Sequence, residues 1–393
     1  MNKFTKISLL TALSLASVSS SALAANSLTD AFSNGKTKGA LKSYYFIRNY
    51  DQSTTKDASI WVNGGYLNYV TDDFKGLKLG ATLQTTHVGS IDDDSSKFSG
   101  TMDASGSILS ESYIEYKFNN TIFKGGRQYI NLPLINGSGS RMIKESFEGY
   151  FLTNTDIPDT IVSLGKVTKY ARRTDGVGDT GKFLNAKTGD HGTISLYIKN
   201  NSIKNLDLQV QYIHKSESNN SNDGVKVLYL ASQYTIDSAL KPFIAAQYFD
   251  SNYENNTTKD SSMYGFKTGI TISDVNLLAG YTRTNDDGNV FHGIGENAYS
   301  SYTSSFVSSS PAYKAGTNTW LLSAGYNFGK LGTKLTYSSF NNPIDTADLK
   351  QTSLNLRYKI TKNLNTFVDY SILDYGNNTN DYADIRLGMV YSF

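Results

Sequence analysis

The sequence predicts an all-β chain, a transmembrane antiparallel barrel of about eighteen strands. Three observations carry that prediction. Amphipathic runs of roughly ten residues recur along the chain. Their connections alternate between short and long. One end reads as an export signal and the other as an amphipathic strand closed by an aromatic residue.

At the start, Lys3 and Lys6 supply a positive segment, Ile7 to Leu15 a short apolar core, and Ala22-Leu23-Ala24 a small-x-small cleavage pattern. The apolar stretch falls short of the roughly 20 residues that a spanning helix needs. Residues 1–24 are therefore expected to be a cleaved Sec signal peptide, and residues 25–393 a single barrel domain. At the other end Ala383, Ile385, Leu387, Met389, Tyr391 and Phe393 share one parity. Asp384, Arg386, Gly388 and Ser392 share the other, with Val390 the exception. This is the period of a strand with one apolar and one polar face. A terminal Phe393 after such a strand resembles the signal read by the outer-membrane barrel-assembly machinery, which is an expected partner.

Composition agrees. Mean hydropathy is −0.37, too polar for a bundle of membrane helices, whereas a barrel turns only alternate residues to lipid. The chain holds 28 Tyr and 19 Phe against two Trp, 33 Gly against five Pro, and no cysteine. Tyrosine-rich, proline-poor strands suit aromatic girdles at two bilayer interfaces. Net charge is +2, from 37 basic and 35 acidic residues; removing Lys3 and Lys6 leaves 35 of each, because residues 1–24 hold no acid. Nothing in that balance points to nucleic acid. Any selectivity must come from where charges sit.

The strand-like runs fall at 38–50, 58–71, 75–88, 109–118, 120–129, 145–155, 159–170, 191–200, 206–216, 224–236, 240–250, 262–272, 274–285, 317–328, 331–340, 349–360, 363–374 and 383–393. Alternation is clean in 349–360, where Thr352, Leu354, Leu356, Tyr358 and Ile360 oppose Gln351, Ser353, Asn355, Arg357 and Lys359. It is equally clear in 206–216 and 262–272. No faces can be assigned in 58–71, 145–155, 159–170 and 240–250. Asn119, Ser273, Gly329-Lys330 and Lys362 read as tight turns, while 89–108, 130–144, 171–190, 251–261 and 286–316 are long and polar. Outer-membrane barrels have short periplasmic turns and long external loops. With both termini periplasmic, the long segments land outside. A barrel of this size encloses a lumen that strand side chains alone do not fill.

The stretch from Leu109 to Arg173 resembles the OprD family of bacterial outer-membrane porins. The residues that carry the resemblance are Glu111-Ser112-Tyr113-Ile114-Glu115-Tyr116, Gly126-Arg127-Gln128, Leu132-Pro133-Leu134, Gly139-Ser140-Arg141 and Phe147-Glu148-Gly149-Tyr150. The resemblance implies an 18-stranded barrel admitting small solutes such as basic amino acids or carboxylate-bearing compounds. It implies a third external loop, here Ile130 to Lys144, folded inward as the constriction with Pro133, Gly137, Ser138, Gly139 and Ser140. It also implies a row of basic residues that guides a carboxylate, with Arg127 and Arg141 among them.

Independently, a charge facing lipid at midplane costs about 2–4 kcal/mol, so charges in mid-strand should face the lumen. Parity places Lys267, Lys334, Arg357, Lys359 and Arg386 there, the last four as a positive stripe, with Glu111, Glu115, Asp207 and Asp369 opposing them. Arg357 and Arg386 are the favoured pair because a guanidinium fork matches a carboxylate. The plainer alternative is a set of paired, solvated lumen charges in a general diffusion pore. Arg141 has a structural alternative as an anchor of the loop to the wall. Gly137 and Gly139 either open backbone N–H groups to a solute or are ordinary loop glycines. Arg172 and Arg173 either bind lipopolysaccharide phosphate, meet incoming anions or form a plain solvated charge pair.

The histidines His87, His191, His214 and His292 are scattered, and no G-x-S-x-G occurs. Neither an enzyme, a cofactor nor a metal is expected. Asp92-Asp93-Asp94 reads as a solvated acidic loop before it reads as a calcium site. The expected function is passive, substrate-selective diffusion of small solutes through the outer membrane. Loops 286–316 and 89–108 are long enough for an adhesin, which is the alternative alongside a general pore. The expected partners are membrane lipid, lipopolysaccharide and small solutes; oligomeric state is left open.

Overall fold

The computed structural model describes residues 25–51, 56–92, 104–218, 223–255, 257–344, 348–376 and 381–393. The expected signal peptide, and Asp93 and Asp94 of the acidic run, lie outside them. A short helix α1 (Leu28–Ser33) precedes the strands. The first group is β1 (Lys36–Tyr50), β2 (Ala58–Val70), β3 (Leu77–Asp92), β4 (Gly106–Phe118) and β5 (Thr121–Gln128). Two-residue pieces β6 (Asn131–Leu132) and β7 (Ile135–Asn136) follow, then β8 (Ser146–Asn154), β9 (Thr160–Ala171) and the short β10 (Phe183–Leu184). Next come β11 (Thr193–Asn200), β12 (Leu206–Lys215), β13 (Val225–Thr235), β14 (Phe243–Tyr253), β15 (Ser261–Ile272) and β16 (Val275–Thr284). The last are β17 (Asn318–Phe328), β18 (Leu331–Asn341), β19 (Leu349–Lys359), β20 (Leu364–Tyr375) and β21 (Tyr382–Ser392).

Leaving aside β6, β7 and β10, eighteen strands pair antiparallel with their chain neighbours. The ring closes where β1 meets β21, from Ala40 opposite Ser392 to Tyr50 opposite Tyr382. Closure matters physically, because no strand is left with an unpaired edge to expose in hydrocarbon. All eighteen predicted runs coincide with these strands. The run read at 240–250 is shifted to Phe243–Tyr253. Pro242 has no N–H to give a ladder, so pairing begins after it.

Two-residue hairpins at 119–120, 273–274 and 329–330 are made by Asn119 (φ 50°), Ser273 (φ 52°) and Gly329 (φ 60°) in the left-handed region, which matches the twist of paired strands. Connections at this end run from two to seven residues, and every longer one lies at the opposite end. Alternation sorts the two faces. On β21, Asp384, Arg386 and Gly388 are buried while Leu387, Met389 and Tyr391 are exposed. The exposed parity is the apolar outer wall. The buried parity faces a lumen that is filled at the long-loop end.

Candidate functional site: the barrel interior

Two loops account for that filling. The third loop (129–145) joins β5 to β8. Its Leu134 N–H donates to Gln211 Oε1 on β12 (2.7 Å). Its Lys144 N–H donates to Gln84 Oε1 on β3 (2.9 Å), and Gln84 Nε2 donates back to the Lys144 carbonyl (2.9 Å). Lys42 Nζ on β1 donates to the Met142 carbonyl (3.3 Å). Since β1 and β12 stand eight strands apart in the ring of eighteen, the loop is fastened to nearly opposite walls. Leu134 and Ile135 are fully buried among Ile213, Val227, Phe249 and Met263. Met142 is buried among Tyr44, Phe46, Ile60 and Val62. Each such side chain contributes roughly 1.5–3 kcal/mol, more than an exposed ion pair does.

The seventh loop (285–317) joins β16 to β17 and also runs inside. Read as an external loop long enough for an adhesin, 286–316 instead packs against the third loop and the inward faces of strands. Ile294 pairs in parallel with Ile135: the Asn136 N–H donates to the Ile294 carbonyl (3.0 Å), and the Ile294 N–H to the Leu134 carbonyl (2.9 Å). Ser300 Oγ donates to the Pro133 carbonyl (2.6 Å). Further along, Tyr302 lies against Lys267 with the ammonium 4.3 Å from the ring centre, and Phe306 lies against the Arg386 guanidinium at 4.9 Å. His292 stacks on Tyr299 with ring centres 3.9 Å apart and meets the edge of Tyr313. Its Nδ1 is buried without a hydrogen-bond partner, and burial lowers its pKa from 6.5 to about 4.

Glu145 joins the two loops. Its carboxylate, 1% exposed, accepts the N–H of Ser138 (2.8 Å) and of Glu296 (3.0 Å). Arg173 of the fourth loop stands 3.9 Å from the other oxygen and 3.8 Å from Glu296, and Arg172 also pairs with Glu296 at 3.8 Å. Burial raises the Glu145 pKa while the Arg173 charge pulls it down. Arg173 is thus tied inward to two loop carboxylates, while Arg172, 52% exposed, keeps a solvated guanidinium beside Glu296.

The expected site residues divide. Lys267, Lys334, Arg357, Lys359 and Arg386 lie on the inward parity, as do Glu111, Glu115, Asp207 and Asp369. The favoured pair is not available as free charge. Arg357 forks onto Asp369 at 2.5 and 3.0 Å, and Arg386 binds Asp384 beneath Phe306. Asp207 is taken by Lys199 (2.6 Å). Glu111 accepts the Thr82 hydroxyl (2.6 Å) and the Tyr129 N–H (3.4 Å).

Arg127 is a correction. It pairs across β5–β8 with Glu148, on the parity of the exposed Tyr150 and Leu152, so it faces outward. There it meets Glu148 (3.4 Å) and the Phe183 ring (4.2 Å). Its neighbours Lys124 and Gly126 take the inward positions opposite Glu115 and Tyr113. Arg141 is buried against Phe46 (5.3 Å), in keeping with its reading as an anchor. Between Gly137 and Gly139, read as either opening loop N–H groups to a solute or being ordinary loop glycines, the Ser138 N–H is held by Glu145, and Ser138 and Ser140 share a hydroxyl contact (3.0 Å). A Cβ on Gly137 would stand 2.6 Å from the Glu145 carbonyl, so close packing of the loop on itself requires that glycine. Gly139 carries no such constraint, since a Cβ there would make only ordinary contact with Lys144.

Lys124 over Tyr113 (3.6 Å) and Lys144 over Tyr129 (4.1 Å) were missed in the sequence. Lys124 was legible, because a two-residue hairpin at Asn119 fixes it opposite Glu115. Among the described residues Lys124, Lys144, Lys267, Lys334 and Lys359 have no carboxylate within 4.0 Å, and neither Glu111 nor Glu115 has a cation within that distance.

These features define a wide transmembrane barrel whose interior is narrowed by two of its own loops and lined by charge: a channel protein. The model of the outer membrane porin OprD family matches residues 29–337, and the chain belongs to that family of the outer membrane. Solved structures share the fold. OccK8 (OprE) of Pseudomonas aeruginosa is 17% identical with a TM-score of 0.75, covering 92% of this chain and 98% of that one. OccK9 (OpdG) of the same organism is 16% identical with a TM-score of 0.77, covering 92% and 99%. OccAB1 of Acinetobacter baumannii is 12% identical with a TM-score of 0.77, covering 93% and 98%. No curated protein sequence matches the chain.

Proposed function

We propose that this porin passes small anionic solutes, carboxylates foremost, by passive selective diffusion, with the third and seventh loops forming the constriction. The long loops then face the exterior and the termini the periplasm. One observation carries the charge preference. Among the described residues, the inward cations Lys124, Lys144, Lys267, Lys334 and Lys359 have no carboxylate within ion-pair distance, against two inward carboxylates, Glu111 and Glu115, without a cation that near. Loop filling gives those charges their effect. Two unit charges 4 Å apart attract by about 1 kcal/mol in bulk water and about 4 kcal/mol at an effective dielectric of 20, and a narrowed, partly dehydrated path lies between these limits.

Swelling of liposomes carrying the refolded protein tests this reading. Small carboxylates should enter faster than neutral solutes of equal size, and Lys334→Glu with Lys267→Glu should narrow the difference. Equal rates for anionic and neutral solutes in the unmodified protein would leave a general diffusion pore. The adhesin alternative is weakened because the longest loop is committed to the interior.

A further inference from the structure

We propose that the outer wall from β5 to β14, at the long-loop end, binds the phosphorylated headgroup of lipopolysaccharide. The observation is a row of polar and cationic side chains on the outward parity, one register step after another and interrupted only by Ile194. Tyr150 on β8 pairs with Lys166 on β9, Lys166 with Ile194 on β11, Ile194 with His214 on β12, His214 with Lys226 on β13, and Lys226 with Asn252 on β14. One step nearer the loops, Arg127, Glu148 and Lys169 form a second outward line across β5, β8 and β9. Toward the other end the same parity turns apolar on β8, β9, β11, β12 and β13, with Leu152, Leu164, Leu196, Tyr212 and Leu230 exposed, and on β14 after Asp250.

A charge at the lipid midplane costs about 2–4 kcal/mol, falling to about 0–1 near the interface. A cationic line directly above an apolar band therefore belongs at headgroup level. Its charges are not balanced within the protein. Glu148 is shared between Arg127 (3.4 Å) and Lys169 (2.9 Å), and Glu254 between Lys226 (3.0 Å) and His214 (3.0 Å). Lys166 is exposed with no carboxylate within 4.0 Å among the described residues. Counting Asp250, which accepts the Asn252 amide on β14 (2.6 Å), four permanent cations thus face three carboxylates. Lys166 and Lys226 are three strand spacings apart, about 14 Å, the scale of a disaccharide with a phosphate at each end. The opposite sector lacks the pattern: on β19 and β20 the outward Lys350 pairs in register with Asp374, which leaves no net charge. Ammonium and guanidinium groups at this level recognise phosphate oxygens by charge-assisted hydrogen bonds. The inference rests on the long loops facing the outer leaflet, as in the function proposed above.

The test is binding of bisphosphorylated lipid A to the refolded protein in detergent, read by native mass spectrometry. Lys166→Glu with Lys226→Glu should weaken binding about a hundredfold, at roughly tenfold for each charge-assisted hydrogen bond removed. Lys166→Gln with Lys226→Gln serves if the first variant folds poorly, and Lys350→Glu should bind as the parent does. Equal affinity of parent and double variant, equal binding of dephosphorylated lipid A, or displacement of lipid A by inorganic phosphate at equal concentration would each overturn the proposal. Channel current recorded on the same variants separates the two readings, because these side chains lie outside the lumen and their replacement leaves the pore untouched.

Discussion

Glu145→Ala is the sharpest perturbation of the interior. It removes the one acceptor shared by the buried N–H of Ser138 and the part-buried N–H of Glu296, and the carboxylate that faces Arg173. A buried donor left without a partner costs about 1–3 kcal/mol. Loss of the Ser138 bond in full, the Glu296 bond in part and the Arg173 attraction, offset by no longer burying a carboxylate, weakens docking of the third loop on the seventh by about 2–4 kcal/mol. The undocked population then rises about thirtyfold to a thousandfold, since about 1.4 kcal/mol is tenfold. The barrel should survive, because its ring of backbone hydrogen bonds does not use Glu145. Single-channel recording reads the effect: steady current in the parent, and excursions to higher conductance in the variant. Glu145→Gln keeps an oxygen acceptor and should fall between the two. A Glu145→Ala channel with the parent's amplitude and noise, while still heat-modifiable as a folded barrel, would refute the clasp.

Three further outcomes are expected. Asp369→Asn releases the Arg357 fork and should move the reversal potential in a salt gradient toward anions, whereas Lys334→Glu should move it toward cations. Arg127→Ala should leave conductance and selectivity alone and change stability by no more than about 1 kcal/mol, as for an exposed ion pair; altered selectivity would contradict its outward placement. His292 gives a pH dependence. Its pKa is lowered from 6.5 to about 4 by burial, so the docked loop binds fewer protons than the undocked one. The His292 contribution to docking is therefore at full strength above pH 6.5 and is lost as pH falls toward 4, about 3 kcal/mol in total, partly offset by Glu145, whose raised pKa acts in the opposite sense. Channel noise should rise over that window, and His292→Phe, which can still stack on Tyr299, should abolish the rise.

The wall was legible in the sequence because lipid on one side and a polar lumen on the other impose a period of two that survives averaging. The hairpins were legible because Asn119 and Gly329 suit left-handed backbone. What failed is instructive. In β5, Lys124 and Arg127 are three residues apart and must face opposite ways, but Gly125 and Gly126 between them leave neither face marked as apolar. The resemblance favoured Arg127, whereas the hairpin register puts Lys124 inward. Ion pairing was hidden for a related reason. Arg357 reaches Asp369 only because the turn at 360–363 sets Asn355 opposite Asp369 and Phe367 opposite Arg357. The seventh loop was read as external from its length, its polarity and the alternation of short and long connections. Tyr299, Tyr302, Phe306 and Tyr313 in a stretch with few charges were the available signal that it needed a place to bury aromatic rings.

Single-channel current through the refolded protein in a planar bilayer, under a salt gradient and with small carboxylates added, addresses the central claim directly. Two interior loops and an excess of inward cations predict small, discrete steps with an anion-favouring reversal potential, reduced by carboxylates and indifferent to neutral sugars. Large steps of an open eighteen-strand barrel, with a reversal potential near zero and no response to any solute, would contradict the account.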